Sequence, residues 1–561
     1  MNEKIIELQN LFIKKEYSKL IFLIENTIEE KDRSGQILNF LGAAKMLKGP
    51  KNKITIESAV TNFKDSYTKL NQHKSCMDSL VNLINSTCDL FDLSDASEDF
   101  SNNFIELIDF FNKSKAICGN NERLILSMVR VYKRLNDLDN TLLLLNQLLK
   151  DNALSLNSLP QLIFNNNFKN NWTQKDYFHY SKLLQKFVPD YPNEKLVNLN
   201  KNNNEKIKIG FLSSDIKKKH SITYFLKTVL SNYDKERYEI ILILNHLKND
   251  DDTDQFVKLV DGAINIYKLN DIAAINLIRN TRFDIIFDLM GLTSKYRMSL
   301  FKNRIAPAQI SWLGYCNTMG LENMDYLFSD SNLIYDEEKQ YYSEKIVFLK
   351  DIWNCHSGFD IDIKKNESPF IKNKFITFGS FNNFSKINDD VINVWSQILK
   401  SLPNSRLILK SNLKKDYSRI KNIFKKNKIE ENILFYEKAH LVENHLKLYK
   451  NIDIGLDTFP YNGVTTSFEA IWMGVPVLTM KGYNFNSRCG ESINKNLKLD
   501  YLIAKNVKEY ISKAVELAEN TDKLVEIRDH IFSNAIESPL FDQLAFSKNF
   551  FSSIENIYNN I

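Results

Sequence analysis

The chain has 561 residues, 43% hydrophobic and 25% charged, an ordinary globular balance over a length that holds about three or four domains. Its net charge of +5 comes from 74 basic and 69 acidic residues, too even a balance to argue for nucleic acid, and the Lys-rich pieces 201–219 and 413–428 read as solvated loops or helix faces. Six scattered cysteines without a C-x-x-C pair exclude a zinc site or disulfide framework of the usual spacing, and no apolar run matches a membrane span or signal peptide, so a reducing cytoplasm is expected.

Residues 1–195 read as helices only. Apolar positions recur at three and four residues, as at Leu142, Leu145, Leu148 and Leu149, and nothing alternates like a strand. Leu41-Gly42 followed by Ala59, Phe63 and Ser66 resembles the Leu-Gly…Ala…Phe…Ala spacing of a tetratricopeptide repeat, with an insertion around Gly49-Pro50-Lys51-Asn52. A further hairpin is expected over Glu122–Lys150. Stacked repeats would offer a concave face to a peptide or protein, and a plain helical cap on the next domain reads equally well.

The pattern changes at Lys206. Strands are expected at 206–212, 238–244, 283–289, 309–313 and 345–349, with helical stretches between several of them. After a polar linker near 355–372 the alternation restarts, with strands at 375–379, 406–410, 432–436, 452–456 and 475–479. Strands alternating with helices imply parallel βαβ units. Residues 205–355 and 370–540 therefore read as two doubly wound halves, with a ligand cleft at the carboxyl ends of their strands. Residues 541–561 read as a long helix packing back across them.

The stretch Pro460–Thr479 carries the most chemistry. Asn462 and Gly463 form a loop, Thr465 and Thr466 open a helix, Glu469 lies one turn inside, and Gly474 stops the helix before a buried strand. A helix start has unpaired N–H groups and about half a positive charge, so it can hold phosphate, while Glu469 could accept from ribose hydroxyls. Thr466-x-x-Glu469 is equally the spacing of a capping box. On the same sheet edge, Asn383 could bond a nucleotide edge or a sugar, and Lys386 could set a compact charge against a diphosphate. The loop Leu456–Gly463 ends there too, and His445, on the preceding helix, could flank a base. In the other half, His220 follows Ser213-Ser214-Asp215 near a helix start, where an imidazole could take a proton from an attacking hydroxyl, or simply cap the helix. Asp215 could orient His220. The run Asp250–Asp254 could suggest an Mg²⁺ site, but a solvated turn fits it better.

These residues resemble a known family. From about 206 to 561 the chain is similar to the catalytic region of the O-linked N-acetylglucosamine transferases and their Spindly relatives, inverting glycosyltransferases of the GT-B fold. The markers are Ser-Ser-Asp…His220-Ser-Ile-x-Tyr-Phe, Ala306–Tyr315, Met324-Asp-Tyr, Tyr342-Ser-Glu-Lys345, Phe381-Asn-Asn-Phe-x-Lys386 and Leu456-Asp…Tyr-Asn-Gly-Val-Thr-Thr…Glu469. The resemblance implies two facing Rossmann-like domains after tetratricopeptide-like helices, 205–355 on the acceptor side and 370–540 binding the nucleotide sugar. It makes His220 an active-site histidine, sets Lys386 on the UDP diphosphate with Asn383 near the donor, and places phosphate at Gly463, Thr465 and Thr466. Ribose falls to Glu469 and uracil to His445. The implied donor is UDP-GlcNAc without a metal, and the implied acceptor is a Ser or Thr hydroxyl of a protein or peptide held by the N-terminal helices. Departures at Gly291-Leu292-Thr293, at Gly314–Thr318 and at Val464 leave UDP-glucose, GDP-fucose or a glycan acceptor open. A repeat scaffold with an inactive nucleotide-binding half is also open.

Overall fold

The computed structural model describes every residue except 1, 50, 71–72, 95–99, 192–205, 218–219, 248–249, 294–295, 360, 362–366, 412–415 and 438–440. Pro50, Lys219, parts of both Lys-rich pieces and part of the linker near 355–372 thus lie outside the described residues. The chain forms two compact units, Met1–Ser158 with Asn412–Arg419, and Leu159–Ser411 with Ile420–Ile561.

The first unit is a succession of helices. The residues with tetratricopeptide-like spacing fall on two neighbours, Gly35–Lys48 and Lys53–Leu70, where Leu41, Ala59, Phe63 and Ser66 are all buried and Gly42 lies against the Phe63 ring. Gly49, Lys51 and Asn52 of the expected insertion lie between these two helices. The expected hairpin consists of Glu122–Arg134 and Leu138–Lys150, whose starts are capped by the Asn121 and Asp137 side chains.

The second unit begins inside the segment that reads as all-helical. Helices Leu159–Asn166 and Gln174–Leu184 belong with the sheets. Polar bonds explain this: Gln174 Nε2 donates to Asn317 Oδ1 at 2.8 Å, and Asn303 Nδ2 to Pro189 O at 3.0 Å. Helical periodicity continues past Ser158, so it carries no mark of the change of partner.

The first sheet is formed by β1 Ile207–Ser213, β2 Tyr238–Leu244, β3 Gly262–Asn265, β4 Ile285–Asp288, β5 Ala308–Ser311, β6 Tyr326–Ser329 and β7 Lys345–Phe348, all parallel, in the order β3-β2-β1-β4-β5-β6-β7. Its central strands are apolar almost throughout because helices cover both faces. The second sheet is formed by β8 Thr377–Ser380, β9 Arg406–Ser411, β10 Ile433–Glu437, β11 Ile454–Leu456, β12 Val477–Met480 and β13 Ile503–Ala504, in the order β10-β9-β8-β11-β12-β13. Each order reverses direction once, between β1 and β4 and between β8 and β11, and the crevice at such a reversal is where open α/β sheets take ligands.

Two features tie the halves together. The start of the expected polar linker is buried: His356 has no exposure and stacks between Tyr224 of the first half and Phe468 of the second, at 4.8 and 5.7 Å. The C-terminal helix, Gln543–Asn559, lays Phe550 on Phe287, Trp312 and Phe328 of the first sheet. Just before it, Phe541 meets Phe468 and Trp472 of the second half. Among the described residues, no helix is long and apolar enough to cross a membrane.

Candidate functional site

Parallel strands β8, β11 and β12 bring three loops to one edge, at the reversal of the second sheet. Asp457 organises them. Buried to 1% exposure, it accepts at Oδ1 from the N–H groups of Thr458 at 2.8 Å and Gly463 at 2.6 Å, and at Oδ2 from Thr479 Oγ1 at 2.8 Å. Burial pushes its carboxyl up to about 6, against the lowering effect of these donors and of nearby Lys386.

Lys386 closes the loop from the other side. Its Nζ donates to Asn462 O at 2.6 Å and lies 4.1 Å from the centre of the Tyr461 ring. Desolvation pulls its pKa below the usual lysine value, and the Asp457 charge opposes that. The ammonium is therefore held three residues before the helix Thr465–Trp472. No side chain caps this helix at Val464, so the capping-box spacing of Thr466 and Glu469 is not used. Instead Thr466 Oγ1 donates to Asn382 Oδ1 at 2.8 Å, and Glu469 turns away to other partners. Thr465 and Thr466 are partly exposed at the helix start. Gly474, at φ +72°, ends the helix in a conformation that a side chain would disfavour.

Gly463 is required by close approach. A Cβ there would come within 2.7 Å of Thr466 Oγ1 and 2.9 Å of Asn382 Oδ1. Asn382 is the amide that joins this cluster. Asn383 is exposed, and its Oδ1 accepts from Ser385 N at 3.0 Å within its own turn.

Glu469, on the same helix as Thr465 and Thr466, forms a second polar cluster with His445 of helix Val442–Leu448 and Tyr449 just after it. Glu469 Oε2 meets His445 Nε2 at 2.9 Å and accepts from Tyr449 OH at 3.0 Å. Lys410 Nζ approaches His445 Nδ1 at 2.9 Å, and Phe381 packs on Tyr449 with ring centres 4.6 Å apart. Burial, reinforced by the Glu469 charge, raises the Tyr449 hydroxyl well above its ordinary value. Tyr449 sits four residues after His445. Its hydroxyl was the part sequence reasoning missed, with Asn382, Asp457 and Tyr461.

In the first half, His220 is the N-cap residue of helix Ser221–Leu230, and its Nδ1 accepts weakly from Ile222 N at 3.5 Å. Its Nε2 lies 3.8 Å from Asp215 Oδ1, which also meets Lys217 Nζ at 3.1 Å. Burial lowers the imidazole below its usual pKa, with Asp215 raising it and Lys217 lowering it further. His220 therefore combines capping with a ring that stays neutral and partly exposed at pH 7. The run Asp250–Asp254 opens helix Asp251–Leu259, with Asp250 Oδ1 accepting from Thr253 N at 2.9 Å. Among the described residues no three His, Cys, Asp or Glu gather as they would around a metal.

The helices after His220 and Val464 touch directly, Phe225 against Phe468 with ring centres 5.2 Å apart. At 1.5 Å of rise per residue, His220 lies about 7.5 Å along its helix from that contact and Thr465 about 4.5 Å along the other. The tertiary structure thus brings Lys386, Gly463, Thr465, Thr466, His445 and Glu469 to one edge and links the His220 helix to it. It leaves Asn383 outside.

The model of glycosyl transferase family 41 matches residues 182–358 and 360–550. The chain belongs to glycosyltransferase family 41. Among family relatives, the Solanum lycopersicum protein named as a probable UDP-N-acetylglucosamine–peptide N-acetylglucosaminyltransferase SPINDLY is 33% identical over 63% of this chain and 38% of its own length. The Arabidopsis thaliana protein of the same activity name, designated SEC, is 26% identical over 63% of this chain and 37% of its own. The chain thus matches little more than a third of the length of these curated relatives. A solved structure of a point mutant of the Thermobaculum terrenum O-GlcNAc transferase superposes with a TM-score of 0.80 at 21% identity, over 95% of this chain and 99% of the other. The fold is GT-B: an all-helical region followed by two Rossmann-like halves.

Proposed function

We propose that this family 41 member is an inverting transferase that moves N-acetylglucosamine from UDP-GlcNAc to Ser or Thr hydroxyls of proteins. The observation that carries the reading is the convergence of the Lys386 ammonium, the uncapped helix start at Thr465 and Thr466, and the Glu469–His445 pair on one edge of the second sheet. A cation and a helix start side by side fit a diphosphate, and a buried carboxylate one turn further in fits ribose.

In this mechanism the acceptor oxygen attacks the anomeric carbon from the face opposite the nucleotide, and the bond from that carbon to the diphosphate oxygen breaks. Negative charge grows on the departing UDP, where Lys386 and the first-turn N–H groups stabilise it. The two together supply the charge that a divalent cation provides in other enzymes, so no metal is needed. His220 orients the acceptor hydroxyl, and the proton leaves to the imidazole, to water or to a donor phosphate oxygen. The relatives' printed activity supports UDP-GlcNAc as donor and a peptide as acceptor. The N-terminal helices hold the acceptor in this reading, and the six free cysteines support a reducing cytoplasm.

Thermal shift with UDP-GlcNAc, UDP-glucose and GDP-fucose, followed by transfer of labelled sugar to lysate proteins, tests the reading. Stabilisation by UDP-GlcNAc and a labelled product removed by protease are expected. Stabilisation by GDP-fucose alone, or a protease-resistant product, would replace the donor or the acceptor. Nucleotide binding without turnover on any donor would make the chain a scaffold.

A further inference from the structure

The turn after helix Leu159–Asn166 lies ahead of the first residue matched by the family model, yet two separate routes run from it to Lys386. The first is a hydrogen-bonded chain through three asparagines, one side-chain amide bond followed by main-chain carbonyls. Asn167, 1% exposed, accepts at Oδ1 from Asn486 Nδ2; the Asn486 carbonyl accepts from Asn462 N at 3.2 Å; and the Asn462 carbonyl accepts from Lys386 Nζ. Asn167 itself is fixed by donating to Phe164 O at 3.0 Å.

The second route is aromatic. Phe168 stacks on Tyr461, ring centres 5.4 Å apart and planes within 22°, and it is this Tyr461 ring that Lys386 Nζ overlies. Asn388 locks the stack in place. Its Nδ2 donates to both Phe168 O and Phe459 O at 2.9 Å, while its Oδ1 caps the helix that begins just after Lys386. A half-buried lysine loses part of its favourable hydration, so its position depends on the few atoms that replace that water. Here both the carbonyl and the ring that do so are held from the turn 167–168.

We infer that Asn167 and Phe168 are positioning residues of the donor site: the helical segment before the family core sets where Lys386 meets the diphosphate. The inference rests on the reading of Lys386 as the diphosphate contact. It predicts that UDP affinity depends on residues that no nucleotide touches.

The test uses the full chain and titration calorimetry with UDP, together with kcat, KM for UDP-GlcNAc and the melting temperature. Asn167→Ala and Phe168→Ala should each weaken UDP binding about tenfold and raise donor KM with it. Phe168→Tyr, which keeps the stacked face, should restore both. If Phe168→Ala does not fold, Phe168→Leu keeps most of the volume without the ring and should show the same weakening. On a Lys386→Ala background, Phe168→Ala should add nothing, because residues acting through one group are non-additive. UDP affinity within twofold of the parent, with only a lower melting temperature, would make the turn a purely structural support and overturn the inference. Full additivity with Lys386→Ala would also overturn it. A Lys386→Ala protein that binds UDP as tightly as the parent would sink the donor-site reading and this inference together. A weakened Lys386→Ala beside an unaffected Phe168→Ala would sink this inference alone.

Discussion

Replacing Lys386 by alanine separates catalysis from folding. The ammonium is half-buried, with Asn462 O at 2.6 Å and the Tyr461 ring at 4.1 Å as its near partners. Two unit charges about 4 Å apart interact by about 4 kcal/mol at an effective dielectric near 20. In the proposed mechanism only part of a full charge develops on the leaving diphosphate as the bond breaks, so removing this group should raise the barrier by about 2–4 kcal/mol. That corresponds to a fall in kcat of roughly thirty- to a thousandfold. Stability should change much less. The variant loses one charge-assisted hydrogen bond but no longer has to desolvate an ammonium, whose pKa burial already depresses. The two effects offset, and the melting temperature should move by less than about 4 °C. The assay is UDP release from UDP-GlcNAc with an acceptor, run beside a thermal melt on the same preparation. A kcat within about threefold of the parent would refute the electrostatic argument. So would a loss of turnover that tracks a collapse in melting temperature.

Three further outcomes follow from the site. Gly463→Ala puts a methyl 2.7 Å from Thr466 Oγ1 and should break the Thr466–Asn382 bond, costing about 1–3 kcal/mol of stability and most UDP binding, as read by denaturant melts and calorimetry. Asn382→Ala should weaken UDP binding several-fold, whereas Asn383→Ala should leave it within twofold, since only Asn382 reaches the helix start. Equal effects would place the amide wrongly. The pH profile of kcat/KM should have its acid limb below the ordinary histidine pKa, because burial favours neutral His220 and the proposed mechanism uses the neutral ring. Asp215 favours the protonated ring, so Asp215→Asn should move that limb to still lower pH; a move upward would contradict the geometry.

Much of the fold can be read from the chain because buried parallel strands are long apolar runs. β1 and β2 are seven residues each and stand out at once. β3, β6 and β13 do not. β3 begins with Gly262 and ends with Asn265, types depleted in strands, and β13 has only two residues. The site was legible wherever chemistry depends on residue type at a strand end, as with Lys386 and Glu469. It was not legible between adjacent identical residues. Asn382 and Asn383 differ only in which way the turn after β8 faces them, and that is fixed by Asp457 and Thr466, more than seventy positions away.

The sequence by itself determined the order of most strands and helices, the two halves, and the placing of Lys386, His220 and the helix start at Thr465 and Thr466 near strand ends with Glu469 one turn further in, because backbone periodicity and turn chemistry are local. Tertiary structure alone decided that Thr466 and Glu469 bond to other elements and form no capping box, that the connector at His356 is buried, and that the helices 159–184 join the sheets. Each of these depends on which distant atoms satisfy a polar group or cover an apolar one, and local spacing carries no record of such partners.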